Sequence, residues 1–356
     1  MELSMALLKK ALVRAGYETL YFSGLHHLAR PLLPGAGAIL SIHHVRPRQK
    51  AAFQPNRRQD ISPRFLNALI DKLRHWKIDI ISLDEMHRRL IERDFKRRFV
   101  CFTLDGAYND HKEWAYTVFK KQETPFALFV PTSFPDRRGE LWWLALEAVV
   151  AKTDQVLMLI NGREQRLMCS GIAEKERVYR GLHDYLRRME TDDEIRAAVR
   201  DLCARYHVDI PEICSRMCMT WDDISVIARD PLATVGAHSV TYPILSKITE
   251  SKVASELKMS RAVIEGALGK LPAYLAYPFG DADAAGAREF GIAGELGFKM
   301  AFTSRNGLLF PAHAKSPLAL PRVTLDSRYR QLRHLRVLLS GMPSAFSNGF
   351  RRVDAA

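Results

Sequence analysis

The sequence predicts an α/β protein built on a mainly parallel sheet. Three observations carry that reading. Short apolar runs alternate with helical periodicity along most of the chain. Several of those runs end in His, Asp or Tyr, as strands do when a site is built at their carboxyl ends. The chain has 356 residues, 47% of them hydrophobic and 26% charged. That is ordinary globular composition, ample for a core without disulfide or metal staples, and it excludes a disordered, collagen-like or coiled-coil chain.

Taken in order, Ala38–Ile42 reads as a central strand that ends in His43-His44. Ser62 and Pro63 open a helix, the first as cap and the second at the first helical position. Its apolar face is Phe65, Leu66, Leu69, Ile70 and Leu73. Ile78–Ser82 is a short strand and a helix follows from Leu83. Phe99–Leu104 is a continuous apolar strand running into Asp105, followed by a helix over 110–121 and a strand at Phe126–Val130. The rhythm breaks over 134–219. There Leu141–Ala151 is an apolar helix, Val156–Ile160 and Glu164–Met168 form a hairpin on Asn161-Gly162, and Glu174–Tyr206 is a charge-rich helical stretch. This segment reads as an insertion, a cap or side lobe. The alternation then resumes with a helix at Trp221–Arg229 and a strand at Thr234–Ala237 ending at His238. A helix at Lys252–Leu268, a strand at Tyr274–Tyr277 and a helix at Ala284–Leu296 follow. Strands at Ala301–Thr303 and Leu320–Leu325 close the series. The expected division is 1–34, an N-terminal amphipathic helix; 35–133 and 220–326, the α/β body; 134–219, the insertion; and 327–356, a basic C-terminal segment.

The net charge is +13. Residues 1–58 carry nine Lys/Arg against two acids, and 321–356 carry seven Arg against two acids, so the basicity sits at the two ends. It reads as solvated ends or as contact with an anionic membrane surface; no motif points to nucleic acid. The five cysteines form no CxxC pair and read as free thiols of a reducing compartment. Lys9, Lys10 and Arg14 interrupt the region where a secretory signal would be apolar. The expected location is therefore cytoplasmic, with the first helix packed on the body or resting on the inner face of a membrane.

His43, Asp105 and His238, each just after a strand, make a reaction-site pattern on one rim. The segments that hold them resemble the polysaccharide deacetylases, the NodB-homology or carbohydrate esterase family 4 group. The family's T-F-D-D-G-Y is similar to Thr103-Leu104-Asp105-Gly106-Ala107-Tyr108. Its H-[ST]-x-x-H-P is similar to His238-Ser239-Val240-Thr241-Tyr242-Pro243, and its F-A-Y-P-Y-G to Leu275-Ala276-Tyr277-Pro278-Phe279-Gly280. Ile42-His43-His44-Val45 and Leu320-Pro321-Arg322-Val323 match two more segments, all in family order over about 38–132 and 218–326.

The resemblance implies a distorted (β/α) barrel with a mainly helical insertion, and hydrolysis of the C–N bond of an N-acetyl group in an N-acetylated saccharide such as a chitooligosaccharide. In the family a divalent ion, often zinc, held by an Asp and two His polarises the amide and its attacking water. A second Asp is the base and a His the acid. Carried over, Asp105 is the base, His43 the acid, Arg322 the residue that orients the base, and His238 a metal ligand. Tyr277, Pro278, Phe279 and Trp143 are the candidate saccharide contacts. Gly106 stands where the metal Asp would be and Tyr242 where the second metal His would be. The metal site is therefore degenerate, and zinc is expected to bind weakly or not at all. Asp110, His111 and His313 are the candidates for recruited ligands, and His44 is expected to face away from His43. Restoring the ligands with Gly106→Asp and Tyr242→His is expected to raise metal affinity. The alternative function is a catalytically impaired homologue that binds a glycan or a protein.

Overall fold

The computed structural model describes residues 15–24, 37–160, 162–326 and 331–341. Most of the expected first helix, Asn161 of the hairpin turn and the end of the basic C-terminal segment lie outside the described residues. Residues 15–22 are helical and are tied to the helix Leu332–Leu338, where Arg333 Nη2 and His334 Nε2 donate to Glu18 Oε1 at 2.7 and 3.0 Å. This part of the first helix thus packs on the body.

The strands are β1 (Gly37–Ile42), β2 (His44–Val45), β3 (Asp60–Ile61), β4 (Asp79–Ile80), β5 (Phe99–Asp105), β6 (Phe126–Val130), β7 (Gln155–Ile160), β8 (Arg163–Met168), β9 (Ala233–Ala237), β10 (Tyr274–Ala276), β11 (Met300–Asn306) and β12 (Leu320–Thr324). Pairing runs β1-β12-β11-β10-β9-β6-β5, and β5 returns to β1, so seven parallel strands close a barrel. The expected strand at Ile78–Ser82 shrinks to β4, which lies outside the ring and pairs only with Phe99 and Val100 at the start of β5.

Period-two alternation sorts each strand between two cores. Val100, Phe102 and Leu104 of β5 pack outward against the covering helices, among them Pro63–His75 with its buried Leu66, Leu69, Ile70 and Leu73. That helix begins as expected, with Ser62 Oγ accepting from the Phe65 amide at 3.1 Å. Phe99 and Cys101 point the other way, into the barrel, with Ile39, Phe129, Tyr274 and Phe302. Gly236 makes room for the ring of Phe129, its register partner on the neighbouring strand: a Cβ there would stand 2.4 Å from that ring. Each large apolar side chain buried in this way contributes about 1.5–3 kcal/mol.

The 134–219 region has its own apolar cluster. The helix Trp142–Lys152 lies at its centre, apolar nearly all round, with Trp142, Trp143, Ala145, Leu146, Val149 and Val150 buried. Around it stand the antiparallel pair β7–β8 and the helices Ile172–Arg188, Asp192–Arg205 and Ile210–Met217. The expected single stretch 174–206 is broken at Thr191, whose hydroxyl accepts from the Glu194 amide while the Glu194 carboxylate accepts from the Thr191 amide. That capping box restarts the helix. The cluster also takes in Tyr108, Tyr242, Ile244 and Ala284 from the barrel. The region therefore packs on the rim where the strands end.

Candidate active site at the carboxyl rim of the barrel

Register fixes the rim. Ile42 of β1 is level with Leu104 of β5, so His43 and Asp105 emerge side by side. Val130 of β6 is level with Ala237 of β9, and the His238 amide donates to the Val130 carbonyl. Alternation points Ser41, Thr103, Asp105 and Arg322 inward, and they form one polar layer at the top of the barrel core. Arg322 Nη1 donates to Asp105 Oδ1 at 2.8 Å, Ser41 Oγ donates to Asp105 Oδ2 at 3.1 Å, and Arg322 Nε donates to the Thr303 carbonyl at 2.8 Å. Asp105 is 3% exposed and Arg322 2%. Burial alone would raise the Asp105 carboxyl, but the charge and hydrogen bond of the Arg322 guanidinium hold it well below the usual carboxylate range. Asp105 is therefore an anion under all ordinary conditions.

The two imidazoles are neutral. Burial pushes His43 down to about 4, and Arg322 adds to the fall, against the pull of Asp105. Burial likewise pushes His238 down to about 4. His238 Nδ1 donates to the Ala276 carbonyl at 2.6 Å, which leaves Nε2 as a lone pair. That Nε2 and His43 Nδ1 are buried with no hydrogen-bond partner among the described residues. His44, the outward neighbour, bonds Asp110 Oδ2 at 3.0 Å and lies against the Tyr108 ring at 4.4 Å, so it does face away from His43. His111 Nε2 donates to the His43 carbonyl at 2.8 Å and so braces the strand end rather than the rim. His313 Nδ1 accepts from the Phe310 amide, closing its own turn, Pro311–Lys315.

The residues present do not fit the family's metal. His238 offers a free Nε2, but Gly106 has no side chain. Tyr242 is a phenol whose proton is held more tightly than usual by burial and by Asp105, so it is neutral and a poor ligand. Among the described residues no group of three or more His, Cys, Asp or Glu is placed to hold a metal ion. The backbone is not ready for a restored aspartate either. Gly106 sits at φ +103°, and a Cβ there would lie 2.5 Å from Tyr108 Cε2 and 2.9 Å from Tyr108 Cζ. The expected gain in metal affinity from Gly106→Asp with Tyr242→His therefore requires the Tyr108 ring to move, because it occupies the space that the aspartate needs. Left-handed backbone also occurs at Ala107, Ser239, Tyr242 and Phe279, around the same rim. Such residues cost about 1–3 kcal/mol each and persist only where surrounding structure enforces them.

An aromatic wall closes one side. Tyr242 meets His238 edge-on at 4.8 Å, Phe279 at 5.0 Å and Trp143 at 5.4 Å, and Phe134 lies between Tyr242 at 5.8 Å and Tyr108 at 6.3 Å. Arg187, from the inserted region, covers Phe279 at 4.9 Å. Of the candidate saccharide contacts, Phe279 is half-buried at the rim. Trp143 is packed between Phe279 and Tyr242 rather than laid open as a platform, and Trp142 is fully buried. Tyr277 is placed in the core: its ring packs on Phe290 and its hydroxyl donates to the Leu318 carbonyl, so it offers no face to a saccharide. Pro278 beside it is buried. Sequence reasoning missed Ser41, Phe134 and Arg187. Only Ser41 had a signal, since it lies two residues before His43 on the same strand face.

No curated protein sequence matches the chain. Among solved structures it is similar to a deacetylase, PplD, from Streptococcus pyogenes in complex with acetate (TM-score 0.56, 15% identity, 85% of this chain and 97% of that one). It is also similar to IcaB from Ammonifex degensii (0.52, 17%, 86% and 97%) and to a de-N-acetylase from Aggregatibacter actinomycetemcomitans (0.54, 12%, 85% and 99%). At these identities the likeness is one of fold. The family model for polysaccharide deacetylase matches residues 92–301, more than half of the sequence, and the chain belongs to that family.

Proposed function

We propose that this protein is directed at the N-acetyl group of an N-acetylated saccharide, a chitooligosaccharide for instance, and hydrolyses its C–N bond slowly, with Asp105 as base and His43 as acid. The observation that supports this reading is the buried Asp105 anion on Arg322 beside two neutral imidazoles whose free nitrogens have no partner among the described residues. Asp105 accepts the proton of an attacking water, and the amine leaves with a proton delivered through His43. A barrel rim that keeps a base and an acid but not the three metal ligands has lost the group that polarises the amide carbonyl. Turnover is then expected far below that of a complete site. The test is acetate release from N-acetylated chitooligosaccharides by the wild type and by Asp105→Asn. Slow release that Asp105→Asn abolishes supports the reading.

The second reading, a catalytically silent glycan-binding member, is favoured by Gly106 and Tyr242. It is the outcome if the wild type binds the oligosaccharide and releases no acetate. Absence of both binding and release overturns both readings. We also propose a cytoplasmic location, supported by five buried free cysteines; cell fractionation tests it.

A further inference from the structure

Both positions vacated by the family's ligands are filled by phenols. Tyr242 replaces the histidine outright. Tyr108 fills the place of the missing aspartate side chain, its hydroxyl-bearing Cζ 2.9 Å from where a Cβ on Gly106 would be. The two rings flank Phe134, and Tyr242 stands edge-on to His238. Tyr108 has no hydroxyl hydrogen bond among the described residues. Tyr242 Oη accepts only a long contact, 3.5 Å, from the Phe279 amide, which leaves its own O–H unspent. Next to Tyr242 lies the lone pair of His238 Nε2, buried and without a donor among the described residues. The side of the rim near Gly106 therefore holds two O–H donors and one nitrogen acceptor, all uncharged.

We propose that Tyr108 and Tyr242 take the place of the metal as a hydrogen-bonding cradle for a secondary amide, the acetamido group of the saccharide. The two hydroxyls donate to its carbonyl oxygen and His238 Nε2 accepts from its N–H. A secondary amide has one strong acceptor and one donor, which matches this set. A free amino sugar has no carbonyl to receive the phenols, so the cradle selects the acetylated form. Neutral donors also suit a site whose anion, Asp105, is already balanced by Arg322. This inference rests on the reading that the ligand is an N-acetylated saccharide.

The test is calorimetric titration of the full chain with triacetylchitotriose, with the glucosamine trimer as control, in the presence and absence of EDTA. The expected result is binding of the acetylated trimer alone, with Kd changed less than about twofold by EDTA. Tyr108→Phe and Tyr242→Phe keep both rings and remove one hydroxyl each, so each is expected to weaken binding roughly three- to tenfold, the usual worth of one hydrogen bond. A tyrosine absorption difference spectrum on adding the trimer to the wild type gives a readout that needs no variant. Unchanged Kd in both folded variants, no tyrosine difference spectrum, or binding abolished by EDTA overturns the cradle while leaving the saccharide reading in place. No binding of the acetylated trimer by the wild type overturns both.

Discussion

Arg322 Nη1 lies 2.8 Å from Asp105 Oδ1, with both side chains sealed from solvent and Arg322 also bonded to Thr103 and Thr303. The guanidinium thus fixes the charge and the orientation of the carboxylate at the rim. Removing one member of a buried pair leaves an uncompensated charge, and the penalty exceeds what the pair itself contributes. Arg322→Met is expected to destabilise the protein by about 3–5 kcal/mol. The double change Arg322→Met with Asp105→Asn is expected to recover part of that loss. Urea unfolding of the four forms measures it, and strict additivity of the two single effects would sink the coupling.

The pH dependence of stability has a definite sign. His43 and His238 have folded pKa values of about 4 against an ordinary value of 6.5. Between those limits the unfolded chain binds protons that the folded chain refuses, so stability is full above about pH 6.5 and falls as pH drops toward 4. For His238, almost wholly buried, the loss approaches about 3 kcal/mol by pH 4. Asp105, held low, stays ionised in the folded protein and adds a slope of the same sign only below about pH 5, where the unfolded carboxyl begins to take up protons that the folded one refuses. The urea midpoint is expected to fall between pH 7 and pH 5, and less steeply in His238→Asn, whose amide can still donate to the Ala276 carbonyl. A midpoint independent of pH over this range would contradict the neutral, buried imidazoles.

Two ion pairs near the Ser239–Ile244 segment separate burial from mere proximity. Asp192 pairs with Arg196, both buried. Asp192 also accepts from the Ile244 amide at 2.9 Å, and Arg196 Nη2 donates to the Thr241 carbonyl at 3.0 Å. Lys252–Asp193 is exposed on both sides. Asp192→Ala is expected to cost about 3–5 kcal/mol; Asp193→Ala is expected to cost less than about 1 kcal/mol. Thermal unfolding of the two variants gives the comparison, and equal effects would show that the buried pair does not hold the segment that carries Tyr242.

Much of this was legible in the chain itself. Phe99 to Asp105 alternates between a helix-facing and a barrel-facing set, and its length and apolarity announce a central strand. His43, Asp105 and His238 were readable because each follows such a run. Other features depend on partners distant in sequence. β11 runs on through Ser304, Arg305 and Asn306, which look like loop, because Asn306 finds Arg322 across an irregular register. Arg187 reaches Phe279 only through the packing of the inserted helices. Tyr277 sits in a motif that suggests a surface role, yet its alternation turns it into the core. The obstacle at Gly106 is of the same kind, since nothing in the string Asp-Gly-Ala-Tyr says that the Tyr108 ring folds back over the glycine.

That obstacle decides how the metal site responds to repair. A restored site needs the Gly106 and Tyr242 positions refilled, and it needs Tyr108 out of the way. Gly106→Asp with Tyr242→His supplies both ligands but forces an L-residue into φ +103° against an aromatic ring. The double variant is therefore expected to gain little zinc affinity and to lose stability. Adding Tyr108→Ala frees the space. This triple variant is expected to bind zinc more tightly than the double one, with His238 and the two introduced side chains as ligands. The unmodified protein is expected to take up no stoichiometric zinc at micromolar free metal, because losing even a supporting contact typically costs about 10–100-fold in affinity and Gly106 and Tyr242 offer no carboxylate or imidazole. Metal analysis and calorimetry on the three proteins decide the matter. Stoichiometric zinc in the unmodified chain would overturn the account and turn attention to Asp110, whose Oδ1 is buried without a hydrogen-bond partner among the described residues, beside His44.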